Sequence, residues 1–166
     1  MLRRVLAGIA LVTVGVVVGI ALHLAIATGD TMFAGKRPDY LGVKDGKLPR
    51  TKRTPNNVSS QAEPSDAEHS IAPIRFKGSA VEAMAAVRKA VESSERATVI
   101  RHEGNYLYAE FKSKLLGFVD DVEFTYDDKA GVIHVRSASR LGRRDFGVNR
   151  ARVESIRRRV EGSTRV

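Results

Sequence analysis

GFVDDVEFTYDDKAGVIHVRSASR, residues 117–140, decides the fold of this chain. Apolar side chains alternate through both halves, and Asp127-Asp128-Lys129-Ala130-Gly131 between them is rich in turn formers. So short a link joins antiparallel strands, because parallel neighbours need a crossover of a dozen or more residues. If Phe124 faces the core, the two-residue period brings Val122, Asp120 and Phe118 to its face. In the second strand Ile133 and Val135 carry Ser137 and Ser139 with them. Matching the apolar sets pairs Phe124 with Ile133 and Val122 with Val135. That register sets Asp120 beside Ser137 on the core face, and on the other face Asp121 beside Arg136 and Glu123 beside His134. A one-residue slip would turn His134 and Arg136 inward at a cost. The outer charged pairs are then expected to stabilise by about 0.2–1 kcal/mol each.

Working outward, two more strands precede this pair, at 97–102 and 105–112, with Glu103-Gly104 as their turn; the pair itself runs over 117–126 and 132–139. A helix comes before them. Ser79 and Glu82 have the capping-box spacing, and Val81, Met84, Val87 and Val91 recur as one apolar stripe through about residue 95. A second helix is expected over about 149–161, capped by Asn149, with Val153, Ile156 and Val160 on one face and its arginines largely elsewhere. The expected fold class is α+β, a helix, a four-stranded antiparallel meander and a helix in two layers, preceded by a transmembrane helix and an irregular arm. The domain boundaries are 1–28, 29–78 and 79–163.

The transmembrane expectation rests on Val5 to Ala27, 23 residues whose only strongly polar members are Thr13 and His23. As a helix this run spans roughly 34 Å, enough for a bilayer core. Ala25-Ile26-Ala27 fits a signal-peptidase site, but the apolar run is longer than signal peptides carry, which favours a retained anchor. Arg3 and Arg4 hold the N-terminus inside. The expected location is the plasma (inner) membrane, single-pass, with the C-terminal domain extracytoplasmic. Residues 29–78 are punctuated by Pro38, Pro49, Pro55, Pro64, Pro73 and several glycines, and read as an extended arm with isolated apolar anchors such as Tyr40, Leu41 and Leu48.

The absence of cysteine excludes disulfides, thiolate catalysis and cysteine-ligated metals. His69, His102 and His134 are too dispersed for a zinc site and read as solvated strand or loop residues. No metal or cofactor is expected. Charge is uneven: residues 136–166 hold 10 basic and 3 acidic side chains, whereas residues 78–135 hold 7 and 10. The basic end points to an anionic lipid, a glycan or an acidic protein as partner. Nucleic acid is not expected, because no recognised motif occurs.

The candidate site is the polar cluster at the rim of the last two strands: Asp120, Asp121, Glu123, Arg136, Ser137, Ser139, Arg140, Asp145, Asn149 and Arg150. Asp120 on the core face needs strong partners, of which Arg140 is the first candidate. One reading is a satisfied ion pair holding the loop 140–149 against the sheet; the other is a ligand-binding or catalytic site.

Several stretches together resemble a known family, the bacterial and plastid proteins catalogued as domain of unknown function 1499. They are Pro38-Asp39-Tyr40-Leu41-Gly42-Val43, Thr54-Pro55-Asn56-Asn57-Val58-Ser59-Ser60-Gln61, Ile71-Ala72-Pro73-Ile74, Gly117 to Phe124, Val135 to Gly142, and Gly147-Val148-Asn149-Arg150. The resemblance implies an arm-plus-domain unit, often behind an export signal or membrane segment, with residues 32–77 belonging to the domain. It implies no known activity. Many relatives place cysteines near the positions of Thr51 and Asn57, so any crosslink or thiol role there is closed to this chain.

Two functions of different class follow. The first is a membrane-anchored binding or scaffolding module of the cell envelope with a basic C-terminal surface. The second is a hydrolase-like enzyme using Asp120, Asp121, Arg140 and Asp145, for which the chain offers residue types but no nucleophile elbow or triad spacing.

Overall fold

Antiparallel pairing between residues 97 and 139 organises the domain, but the sheet it builds is wider than a meander. The computed structural model describes residues 33–163 together with Gly15, Val16, Gly19 and Ile20, and the chain divides into two units, Met1–Met32 and Phe33–Val166. In the first unit those four residues are helical. The rest of the expected membrane segment lies outside the described residues, among which no helix is long and apolar enough to cross a membrane. The second unit has six strands, β1 (Asn57–Ser59), β2 (Ile74–Arg75), β3 (Ala97–Glu103), β4 (Tyr106–Lys112), β5 (Val119–Asp127) and β6 (Val132–Ser139), and helices α1 (Ala80–Glu92) and α2 (Val148–Ser163).

The expected fold class is therefore corrected in its sheet. The strand order is β1-β6-β5-β4-β3, with β2 also on β6, and every pairing is antiparallel. The two extra strands come from the arm: Asn57–Ser59 pairs with the far half of β6 and Ile74–Arg75 with its near half. The proline-rich segment thus covers an edge that would otherwise present unpaired backbone groups. Strands of two and three residues leave no periodicity to read, which is why the meander looked complete at four.

The register also differs, by two residues. Glu123 lies opposite Arg136, Asp121 opposite Ala138 and Phe124 opposite Val135. The turn explains the shift. Carried toward the turn, the expected pairs would centre it between Asp128 and Lys129, off the middle of the expected Asp127–Gly131 turn, whereas the observed register has four residues between Asp127 and Val132. Gly131 then takes the positive φ of 61° that the turn needs, and the Asp127 carboxylate accepts the amides of Lys129 and Ala130. Because the slip is even, every side chain stays on its assigned face.

Both helices pack on one face, against Leu107, Ala109, Val122, Phe124, Ile133 and Val135. The Ser79–Glu82 capping box starts α1. Its buried residues are Ala83, Met84, Val87, Ala90 and Val91, while Val81 is exposed at its N-terminal end. The opposite face was expected to meet solvent and does not: Asp121, Glu123 and Arg136 are each no more than 2% exposed. The arm lies there, and its Leu41 and Leu48 pack on Tyr106 and Tyr108. The domain has three layers: helices, sheet, arm.

Candidate functional site

On the arm face, charged residues of three adjacent strands form a closed network. Glu123 of β5 accepts from Arg136 Nη1 of β6 at 3.1 Å on Oε2. Its Oε1 accepts the Tyr106 hydroxyl at 2.9 Å and the Gly42 amide of the arm at 2.7 Å. One register step along, Arg140 holds Asp121, with Nε 3.1 Å from both carboxylate oxygens and Nη2 2.7 Å from Oδ1. Arg140 Nη2 also reaches Glu110 and, at 3.0 Å, the Tyr108 hydroxyl. The Tyr108 hydroxyl in turn lies 2.6 Å from Asp121 Oδ1 and donates to it. Arg37 of the arm closes the far side through Glu110, Nε to Oε1 at 2.8 Å. The arm thus enters the network twice, once by a backbone amide and once by a guanidinium.

These neighbours shift acidity in opposite senses. Burial pushes the Glu123 carboxyl above its ordinary range, against the pull of Arg136, the Gly42 amide and Tyr106. Burial also works to raise Glu110, but there the hydrogen bonds from Arg140, Arg37 and Tyr108 outweigh it and hold the carboxyl below its ordinary range. Tyr106 and Tyr108 are both pushed up by burial and by their carboxylate neighbours, so they remain donors at neutral pH. Arg140 loses by burial and gains more from Asp121 and Glu110, which keeps it charged.

The helix face carries a second, neutral-centred knot. Asn149, fully buried at the start of α2, donates from Nδ2 to the Asn56 carbonyl, to Ser139 Oγ and to Asp145. Its Oδ1 accepts from Ser137 Oγ and Arg152 Nη1. One amide therefore ties arm, sheet and helix together. Asp145 caps α2 from outside, accepting the amides of Gly147 and Asn149, so Asn149 is not the cap the spacing predicted. Burial works to raise the Asp145 carboxyl, but its bonds to Asn149 and Gly147 hold it low. Asp120 is paired with Arg152, Nη2 to Oδ2 at 2.5 Å, and not with Arg140 as expected. Arg152 also lies 4.8 Å over the Phe111 ring.

The ten residues singled out in the sequence thus divide by face. Asp121, Glu123, Arg136 and Arg140 belong to the arm-face network; Asp120, Ser137, Ser139, Asn149 and Asp145 to the helix-face knot. Arg150 joins neither and donates to the Ala67 and Glu68 carbonyls. Sequence reasoning missed Tyr106, Tyr108, Glu110, Arg37 and Arg152. The spacing of Arg152 from Asn149 and Ile156 puts it on the flank of the apolar stripe, a readable signal. His69, read as solvated, is buried, with Nδ1 2.9 Å from Asp66 Oδ1. The basic tail is largely spent on the fold. Arg157 donates to the carbonyls of Ala72 and Pro73, and Arg159 to that of Ala90, leaving Arg143, Arg144 and Arg158 exposed.

Residues 47–160 match the family described as "Protein of unknown function (DUF1499)". The chain belongs to that family. No curated protein matches it. The matched span of this DUF1499 chain takes in the six strands, α1, α2 as far as Val160 and the distal part of the arm. Among the described residues no His, Asp and Glu side chains gather in a set able to hold a metal. What the DUF1499 domain does offer is an open pocket of about 1130 Å³ beside the arm-face network. It is bordered by the cations Lys44, Lys47, Arg50 and Lys52, against Asp45 and Glu63.

Proposed function

We propose that this chain is a binding or scaffolding module of the cell envelope whose ligand is anionic. One contrast carries the reading. Every carboxylate of the rim already has an arginine or a helix N-terminus upon it, while four lysine and arginine side chains border an open pocket. A general base must be in reach of a proton it can take. Asp120, Asp121, Glu110 and Glu123 are instead held as acceptors by neighbours that support the fold. The hydrolase-like alternative has no observation in its favour. Placement at a membrane is supported by the apolar run 5–27 of the sequence and by nothing in the folded unit.

The binding surface in this reading is the pocket, since much of the basic C-terminal helix is occupied internally. The test uses the full chain in a neutral detergent, titrated with a soluble polyanion such as heparin or with micelles of an anionic lipid. Binding that weakens steeply as salt rises is the expected result. Equal and negligible binding to anionic and neutral micelles at low salt contradicts it.

A further inference from the structure

Arg136 is 1% exposed, yet of its three nitrogens only Nη1 has a partner; Nε and Nη2 have no acceptor among the described residues. Buried charged donors are ordinarily satisfied, because leaving them bare costs far more than a typical hydrogen bond returns. Nε and Nη2 lie along one edge of the planar guanidinium, and their N–H groups form the fork that matches two oxygens of a carboxylate or phosphate. Glu123 does not fill that edge. Its oxygens are taken by Arg136 Nη1, Tyr106 and Gly42.

Arg136 does not itself line the open pocket; it sits behind residues that do. Ser59 is its partner across the β1–β6 ladder, and the Tyr40 ring lies 5.7 Å from its guanidinium carbon. The Gly42 amide meets its ion-pair partner Glu123. Lys52, whose ammonium donates to the Ser139 carbonyl at 2.7 Å, has its acidity shifted by burial and by the charge of Arg136. Ser59, Tyr40, Gly42 and Lys52 all line the pocket. One of these two cations lies against a half-exposed aromatic ring, and the other feels its charge.

We propose that the pocket binds a small molecule through a carboxylate or phosphate group seated on the Nε/Nη2 edge of Arg136. Lys52 supplies the second positive charge, and Tyr40 must tilt to admit the group. The inference rests on the anion-binding reading above and narrows it to one chemical head. A pocket of about 1130 Å³ is much larger than one oxyanion, and Leu48 and Pro49 give it an apolar wall. The ligand therefore has a body as well as a head.

The test follows the Arg136 side-chain Nε–H signal by NMR in the full, arginine-labelled chain, in neutral detergent at constant ionic strength. Inorganic phosphate and acetate are the probes, and chloride is the control. Expected is a saturable shift of that signal with phosphate or acetate and none with chloride; which probe binds tighter identifies the head group. Lys52→Met is expected to weaken the response about tenfold without moving the melting temperature by more than a few degrees. The same small drift with all three anions, or no shift at all, overturns the site. If polyanion binding persists while Arg136 stays silent, the Arg136 seat falls and the binding-module reading stands. If both are lost, both fall.

Discussion

The two faces of the central sheet are filled by different means. Toward the helices lie Leu107, Val122, Phe124, Ile133 and Val135, a packed apolar layer that is indifferent to which neighbour it meets. Toward the arm lie Tyr106, Tyr108, Glu110, Asp121, Glu123, Arg136 and Arg140, each of which needs one particular partner at one particular place. An apolar face is covered by anything amphipathic. A charged face is covered only by a chain that brings donors in register, and the arm does so with the Gly42 amide and Arg37. The lesson is that an irregular segment acts here as a third layer, and that its contribution is counted in polar contacts.

The two faces differ most visibly where one partner of a buried pair is removed. Glu123→Ala strands Arg136 in the interior and is expected to cost about 3–5 kcal/mol. Phe124→Ala, the next residue on the opposite face, should cost about the same for a different reason, a cavity. Denaturant midpoints measure both. Replacing Glu123 and Arg136 together by leucine should restore much of the loss, whereas no second truncation rescues Phe124→Ala. A double variant as unstable as the sum of its singles would show that the pair is not one unit.

Asn149→Ala removes the amide that joins arm, sheet and helix, and is expected to cost about 1–3 kcal/mol. Its unfolding should also loosen residues 56–59 before the rest, which proteolysis resolves. At the small end, Ser79→Ala takes one cap from α1 and should cost about 1 kcal/mol with no effect on the arm.

Acid acts on both faces without any mutation. The Glu110 and Asp145 carboxyls are held below their ordinary range in the folded chain. The stability each supplies is therefore fully present above the unfolded carboxylate value and is lost as pH falls through the folded one. Glu123, raised by burial, acts in the opposite sense and contributes most when protonated. Glu110→Gln should flatten the acid limb of the stability curve. An unchanged limb would show that Arg37 and Arg140 do not depend on the ionised carboxylate.

What was legible in the sequence follows the same division. Alternation and turn formers marked β3, β4, β5 and β6, and the two-residue period assigned Asp120 to Phe124 and Ile133 to Ser137 to the faces they occupy. The S-x-x-E spacing marked the start of α1. The register went astray because two loop lengths fit the same alternation, and only the positive φ at Gly131 separates them. The arm was opaque for a physical reason. Its strands are two and three residues long, and one of its two bonds to the arm-face network is a backbone amide, which no side-chain pattern reports. The same blindness turned Glu123 and Arg136 into surface residues, since alternating charge reads as solvent when the covering layer has no period.

The arm is a structural layer closed over the Glu123–Arg136 pair. Amide hydrogen exchange at Gly42 tests it most directly, because that N–H sits outside every strand and helix, 2.7 Å from Glu123 Oε1. Exchange slowed to the range of the β5 and β6 amides, and released by Glu123→Ala, is the predicted result. Exchange at the rate of an unstructured glycine would show that the arm is not closed over the pair.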